Sequence, residues 1–482
     1  MKSAYEITSD LKQGRYSVEK LTSEALSKAE AVQRDLNAFI SISSQALERA
    51  KQLDQRLVKG EDIGPLGGVP VVVKDNICTK GLRTTAGSKS LEGFIPPYNA
   101  TVVERLEQAG AIIIAKANLD EFGMGGSNEN SAYGPVKNPW NPDYVPGGSS
   151  GGSAVAVAAG VAPIALGTDT GGSVRLPAAF NGMIGFKPTY GRLSRYGVIA
   201  FASSLDQVGV LSHSTKDLAL TMDIIAGHDP RDATSIARDK PRFVESLKMP
   251  VKGLRVGMIK ELCHAGNSPG VLDTLDRTRA LLESLGVTVS EVSLPNVVYG
   301  IATYYLVAPA EASSNLARYD AMVYSSRLGE NRQGQAEVMM KSRGATLGSE
   351  VRRRILMGTY ALSSGYYDAY YGKALKVRRL IANDFDIAFA DYDLLMTPTG
   401  PSAAYMFGEK SDPLSMYLVD MDTVIANLVG LPAISVPVGK AENNMPCGIQ
   451  FLAPALQDET LVGLTGMLEQ ALGDSFAPLV NL

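Results

Sequence analysis

Two glycine-serine turns carry the hydroxyls with which this sequence could do covalent chemistry. Residues 146–173 read PGGSSGGSAVAVAAGVAPIALGTDTGGS, which places Ser149 and Ser150 in the first turn and Ser173 in the second. The alanine/valine run between the turns suits one short helix, and the apolar stretch 164–168 suits a buried strand. Backbone without side chains can approach a ligand closely, and consecutive amides in tight turns form a concavity that stabilises negative charge. A serine nucleophile also needs a base. Lys74 directly follows the apolar run Val69-Pro70-Val71-Val72-Val73, and an ammonium drawn into such surroundings loses hydration, so its pKa falls and a neutral amine becomes available. The plain alternative is a helix packed too tightly for residues larger than Gly, Ala and Ser, with Lys74 an ordinary strand-end residue.

A histidine-assisted serine hydrolase is the competing chemistry. Gly147-Gly148-Ser149-Ser150-Gly151 fits the G-x-S-x-G pattern formally. The only histidines, His213, His228 and His264, sit in settings that suit turns and caps. Cys78, Cys263 and Cys447 lie far apart and form no zinc spacing, which suits a reducing compartment. The first fifteen residues lack an apolar core of the signal-peptide kind. These features point to the cytoplasm. A formal charge of −4 and a pI near 5.7 give the chain no global attraction for a phosphate backbone.

The elements that must position the serines and the lysine are legible from periodicity. In residues 1–60, Ser17 can cap a helix, and Ala46, Ala50, Leu53 and Leu57 repeat on one helical face. From 61 to 245 strand and helix patterns alternate: 69–73 reads as a strand, Asn99 can cap a helix ending at Gly110, and 111–115 reads as the next strand. That order predicts a parallel or mixed sheet covered by helices, with ligands at the strand ends where Lys74 lies. Residues 246–299 continue the α/β pattern, 300–425 read as a helical subdomain over the strand ends, and 426–482 return to the core. The stretch 121–152 has little periodicity, and a loop of that length in a compact enzyme is usually functional.

With these residues in view, the sequence resembles the amidase-signature family. Residues 147–159, GGSSGGSAVAVAA, and 167–177, GTDTGGSVRLP, look like its signature. Pro70-Val71-Val72-Val73-Lys74-Asp75-Asn76 resembles the segment bearing its lysine, with the first serine 75 residues later and the second 24 residues beyond that. The resemblance implies one large α/β domain, a mixed sheet covered by helices with a helical subdomain inserted. It also implies a Lys74, Ser149 and Ser173 site in which Lys74 is the general base, Ser149 bridges beside a cis peptide, and Ser173 is the nucleophile. Backbone N–H groups of Thr170, Gly171, Gly172 and Ser173 are then expected to hold the oxyanion, with Asp169 and Arg175 supporting the loop.

Within the family, residues 121–133 (EFGMGGSNENSAY), Tyr304 with 311–318 (EASSNLAR), 350–359 (EVRRRILMGT), 361–370 (ALSSGYYDAY) and 412–417 (DPLSMY) resemble the glutaminase subunits of tRNA-dependent amidotransferases. That resemblance implies glutamine hydrolysis without a cofactor or metal in this chain. The ammonia would pass to a larger B subunit that uses ATP, Mg2+ and glutamyl-tRNA, with a small C subunit completing a heterotrimer and little direct tRNA contact here. It places Arg353 at the glutamine carboxylate, Asp420 at its amino group and Tyr304 in the pocket wall. The sequence itself leaves Arg352 and Arg354 open beside Arg353, and Asp422 beside Asp420. Gly125-Gly126-Ser127-Asn128-Glu129 departs from the Gly-Ser-Ser-Thr-Glu of related chains, which leaves the contacts of that loop open. Two other readings stand beside this one: a stand-alone amidase of small aryl or aliphatic amides, and a non-catalytic scaffold on the same fold.

Overall fold

Eleven strands form one mixed sheet: β1 (Phe39–Ile42), β2 (Pro70–Lys74), β3 (Ile112–Ala117), β4 (Ile164–Asp169), β5 (Ile184–Lys187), β6 (Gln207–Ser212), β7 (Arg255–Ile259), β8 (Thr288–Val292), β9 (Leu394–Pro398), β10 (Ala433–Lys440) and β11 (Pro446–Leu452). The computed structural model describes residues 2–264, 266–329, 334–473, 476, 477 and 480. Across the sheet the order is β1-β3-β2-β4-β6-β5-β10-β11-β9-β7-β8. β3, β2 and β4 are parallel neighbours, so the ends carrying Ala117, Lys74 and Asp169 emerge on one side of the sheet. β7 is parallel to both β8 and β9, and the remaining pairs are antiparallel. This is the α/β architecture expected from the sequence, with a single mixed sheet covered by helices.

Ser17 caps the helix Val18–Leu36 through the N–H of Lys20, and Ala46, Ala50 and Leu53 line the buried face of Ala46–Val58. The N-terminal stretch also holds a third helix, Ala4–Lys12, and the short strand β1, which periodicity does not reveal. Asn99 does not cap the following helix. Ala100 occupies that place, while the Asn99 side chain accepts from the Lys80 N–H at 2.6 Å and donates to Glu107. Strand β6 is likewise absent from the pattern reading, although it lies between β4 and β5 and is buried along its length.

The segment between β8 and β9 carries the helices Gly300–Asn315, Gln335–Thr346, Ser349–Leu362 and Lys373–Asp391. Two of these cross closely, since a Cβ at Gly358 would lie 1.9 Å from the Pro309 carbonyl oxygen. This crossing fixes the helix that carries three consecutive arginines against the one that carries Tyr304 and Tyr305.

The helix Gly151–Ala158 between the serine turns is buried along its whole length. A Cβ at Gly152 would lie 2.3 Å from the Ala38 carbonyl oxygen and 2.5 Å from that of Asn118. The small residues therefore do serve tight packing, and that packing draws the first serine turn down onto the strand ends. In a helix, Gly→Ala normally stabilises by up to about 1 kcal/mol, whereas overpacking costs about 1–3 kcal/mol. Because the obstructing atoms at Gly152 are backbone, overpacking decides the sign. Gly152→Ala is expected to lower the urea midpoint of unfolding, and a midpoint equal to or above the parent's would contradict this packing account.

Candidate active site

Lys74 ends β2 with its side chain fully buried. Its Nζ lies 2.8 Å from Ser149 Oγ, 2.8 Å from Ser150 Oγ and 3.3 Å from the Thr168 carbonyl oxygen. Ser150 Oγ itself donates to the Thr168 carbonyl at 3.2 Å. With its only proton so used, Ser150 can only accept from Lys74, and the Thr168 carbonyl can only accept. These two acceptors take both N–H bonds of a neutral amine, so its lone pair faces the hydroxyl of Ser149. Burial draws the Lys74 pKa down to about 7, against Asp120, Asp169 and Asp206, whose charges favour the ammonium. The arrangement suits a neutral lysine that takes a proton from Ser149. The peptide between Gly148 and Ser149 is cis.

Gly148 has no room for a side chain, because a Cβ there would meet Asp120 Oδ2 at 2.0 Å. Asp120 in turn accepts the N–H groups of Asn128 and Asn130, at 2.9 and 3.0 Å, and so folds the 121–131 loop over the first serine turn. Burial raises its pKa to about 6 despite those bonds. The loop passes between the serines and Asp420: the Gly126 carbonyl accepts the Gly148 N–H at 2.8 Å, and a Cβ at Gly126 would lie 3.4 Å from Asp420 Oδ1.

The second turn is anchored by Asp169 and Arg175. Both are fully buried, and all five N–H bonds of the guanidinium are used. Two reach the Asp169 oxygens at 3.0 Å each, and the others reach Asn427 Oδ1 at 2.7 Å, the Thr423 carbonyl at 3.0 Å and Gln450 Oε1 at 2.8 Å. Asp169 also accepts the N–H groups of Gly172 and Val174 and the amide of Asn427. Burial by itself would raise the Asp169 carboxyl, but Arg175 beside it holds it well below the usual carboxylate range. Of the four N–H groups expected to line an oxyanion hole, that of Gly172 is thus directed to Asp169, at 2.9 Å. Those of Thr170, Gly171 and Ser173 have no acceptor among the described residues. Gly172 has φ +131°, and a Cβ there would lie 2.2 Å from Thr423 Oγ1, which itself donates to the Gly171 carbonyl at 2.6 Å. Ser173 is joined to the first turn through its carbonyl, which accepts the Ser150 N–H at 3.1 Å. Thr170 Oγ1 donates to Asp206 at 2.6 Å.

Tyr304 covers the turn, its ring so close that a Cβ at Gly171 would lie 2.6 Å from Cζ. Next to it is a charged cluster. Tyr305 OH donates to Asp420 Oδ2 at 3.0 Å, and the Tyr305 ring stacks on that of Tyr417, with centroids 3.9 Å apart. Arg354 is buried over both rings, at 5.2 and 5.3 Å, and its Nε donates to Glu350 Oε1 at 2.8 Å. Arg353 also donates to Glu350, through Nη1, but its side chain is 43% exposed. Burial raises Asp420 to about 7, opposed by Arg354 and the Tyr305 hydroxyl. Asp422 stands apart from this cluster: it is fully buried, neither carboxylate oxygen has a hydrogen-bond partner among the described residues, and burial holds its pKa far above the usual range.

Sequence reasoning missed Ser150, Asp120, Asp206, Asn427 and Gln450. Ser150 was visible as the neighbour of Ser149. Asn427 and Gln450 acquire Arg175 across long stretches of chain, and Asp120 and Asp206, though they also bond nearby N–H groups, stand in no pattern that marks them as part of a site. A 330 Å³ cavity lined in part by Glu121, Glu129, Asn130, Leu347 and Glu350 lies against the charged cluster. A larger one of 900 Å³, around Arg192, Arg238, Arg242 and Glu459, contains none of the residues described above. Among the described residues no group of three or more His, Cys, Asp or Glu is placed to hold a metal ion.

Over residues 20–462 the chain matches the family described as Amidase. It is 55% identical over 472 residues to the A subunit of glutamyl-tRNA(Gln) amidotransferase from Deinococcus radiodurans, with 97% of this chain and 96% of that one covered. The protein of the same name from Carboxydothermus hydrogenoformans is 51% identical over 470 residues, covering 97% and 96%. The crystal structure of the A subunit of glutamyl-tRNA(Gln) amidotransferase from Thermotoga maritima is similar at a TM-score of 0.79 and 40% identity, covering 96% of this chain and 94% of that one.

The lysine geometry leads to a pH dependence that can be read without a natural substrate. A serine-directed fluorophosphonate should label the protein with a rate that falls as pH drops below about 7, where Lys74 takes up a proton and loses its lone pair. Lys74→Ala should label at least about a hundredfold more slowly, and Lys74→Arg should not restore the rate, because a guanidinium stays protonated. The same acidic limb persisting in Lys74→Ala would make another group the base.

Proposed function

The chain belongs to the amidase family, and from that premise we propose that it is the glutaminase subunit of a glutamyl-tRNA(Gln) amidotransferase. It hydrolyses glutamine to glutamate and ammonia and supplies the ammonia to a partner that converts Glu-tRNA(Gln) to Gln-tRNA(Gln). The observation that carries the chemistry is the neutral-amine geometry at Lys74. Lys74 takes the Ser149 proton, Ser149 takes that of Ser173, and Ser173 Oγ attacks the side-chain amide carbon. Hydrogen bonds between such groups commonly close only in the substrate complex. The N–H groups of Thr170, Gly171 and Ser173 receive the oxyanion, each worth about 3 kcal/mol to the transition state, while Gly172 holds its N–H on Asp169 and fixes the loop. As the tetrahedral intermediate collapses, the C–N bond breaks, the relay returns its proton to the leaving nitrogen, and ammonia departs. Water then attacks the acyl ester along the same path, giving glutamate and free Ser173.

Glutamine selection rests on the charged cluster beside the second turn. Arg353 takes the α-carboxylate and Asp420 the α-ammonium, with Tyr304 as the wall between them and Ser173. The neighbouring arginines are otherwise engaged. Arg354 is sandwiched among rings and bonded to Glu350, and Arg352 extends to the Gly344 carbonyl. Arg353 spends one nitrogen on Glu350 and keeps most of its fork for a bidentate carboxylate. A stand-alone amidase of apolar amides has no use for this arrangement, and a scaffold has none for the intact Lys74, Ser149 and Ser173. By the same reading the chain works in the cytoplasm within a heterotrimer, beside a larger subunit that binds ATP, Mg2+ and tRNA and a small third one. Among the described residues no helix is long and apolar enough to cross a membrane.

Ser173→Ala should abolish ammonia release from glutamine in the assembled complex while folding and assembly with the partners persist. Added free ammonia should still support amidation of the tRNA-bound glutamate. Glutamine-dependent activity within tenfold of the parent would remove Ser173 from the nucleophile role. Loss of a charge-assisted hydrogen bond costs roughly 1.5–3 kcal/mol, so Arg353→Ala should weaken glutamine use about ten- to a hundredfold, mainly through KM. An unchanged kcat/KM in Arg353→Ala with a large loss in Arg354→Ala would move the carboxylate to Arg354. Lys74 must be neutral and Asp420 ionised, and both pKa values lie at about 7. The acidic limb of glutamine kcat/KM should therefore be steeper than first order in protons and become first order in Asp420→Ala.

A further inference from the structure

Glu350 has no part in the relay or in the two contacts assigned to glutamine, yet it touches the machinery of both charged ends. It lies in the first turn of the helix Ser349–Leu362, with Arg353 and Arg354 at i+3 and i+4, and is only 3% exposed. Its Oε2 accepts from Arg353 Nη1, and its Oε1 accepts from Arg354 Nε at 2.8 Å and from Tyr417 OH at 3.1 Å. Tyr417 stacks on Tyr305, whose hydroxyl donates to Asp420 at 3.0 Å. One buried carboxylate therefore orients the arginine at the carboxylate end and, through two stacked phenols, the aspartate at the ammonium end.

We propose that Glu350 is a positioning residue that sets glutamine specificity at both ends at once. The inference rests on the glutaminase reading and adds a residue to it. Two guanidinium ions in so small a volume repel each other and would turn toward solvent without an anion between them. Glu350 holds Arg354 over the Tyr305 and Tyr417 rings and leaves the outer nitrogens of Arg353 free. Its bond to Tyr417 fixes the ring on which Tyr305 stacks, and thereby the direction from which Tyr305 meets Asp420. A glutamine at this position would place an amide N–H₂ against an arginine N–H, where only an acceptor is useful.

Three analogues of glutamine separate the ends: glutaramic acid keeps only the carboxylate, 4-aminobutanamide keeps only the ammonium, and butyramide keeps neither. Ammonia release from each would be measured in the full-length protein with its partner subunits. Glu350→Gln is expected to lower kcat/KM at least fivefold for both charged analogues relative to butyramide, through KM, and at least tenfold for glutamine. Arg353→Ala should affect only the carboxylate analogue, and Asp420→Ala only the amine. Tyr417→Phe, which keeps the stacked ring and removes one hydroxyl, should raise KM about threefold for 4-aminobutanamide; it decides the matter should Glu350→Gln fail to fold. A Glu350→Gln loss confined to glutaramic acid, or equal for all three analogues, would overturn the proposal, as would an unchanged 4-aminobutanamide KM in Tyr417→Phe. Failure of the parent protein to release ammonia from glutamine would instead overturn the glutaminase reading itself.

Discussion

The dehydration of one amine is the constraint on which the rest of this structure depends. An ammonium in water gains nothing from Ser149, whereas a neutral amine with two acceptors already assigned has one direction left for its lone pair. That situation needs β2 buried between β3 and β4, so that Lys74 emerges into protein and not into solvent. It needs Ser150 and the Thr168 carbonyl as the two acceptors. It also needs a first serine turn pressed against the strand ends by a helix whose first two residues, Gly151 and Gly152, have no side chain to hold it off. Burial alone is not enough. Lys187 is also buried and is also drawn down to about 7, but its Nζ meets the carbonyls of Pro188 and Leu431 and, among the described residues, no hydroxyl. Lys116 has Asp75 3.4 Å away and serves as a structural ion pair.

The second turn is held by the opposite device, a fully charged pair with every hydrogen bond satisfied. Breaking a buried pair on one side typically costs about 3–5 kcal/mol because it leaves a charge uncompensated. The Asp169 and Arg175 pair is tied to elements distant in sequence through Thr423, Asn427 and Gln450. The turn bearing Ser173 is therefore fixed from the same segment that carries Asp420, so the proposed nucleophile and the proposed clamp for the ammonium share one support. A neutral lysine on one side and a rigid ion pair on the other fit a site that must move protons without moving backbone.

Much of this was legible in the sequence where the signal was local. Continuous apolar runs announced β2, β3 and β4, and the glycine spacing announced the two turns. The choice among three arginines was not legible, since residues 352 to 354 fan around a helix, and only in the folded chain does Arg354 lie buried among aromatic rings while Arg353 stays part-exposed, both bonded to Glu350. Asn99 failed as a cap because Lys80 competes for its carbonyl oxygen, a contact that no window around residue 99 contains. β6 is not legible in the sequence because it is a short run, QVGVLS, buried along its length without alternation and defined by pairing with β4 and β5. Gly172 departs from the expected set of free N–H donors because the Asp169 carboxylate turns back to accept its N–H, a geometry that residue types alone do not specify.

The central claim is that Lys74 is a neutral amine at working pH, and the most direct measurement is a pH titration of lysine side chains by NMR in protein labelled at the lysine ε-carbon. Lys74 and Lys187 are both drawn to about 7, so the resonance that disappears in Lys74→Ala makes the assignment. The account predicts that this resonance titrates with a midpoint near pH 7. A midpoint near 10, with the lysine charged throughout the active range, would contradict it.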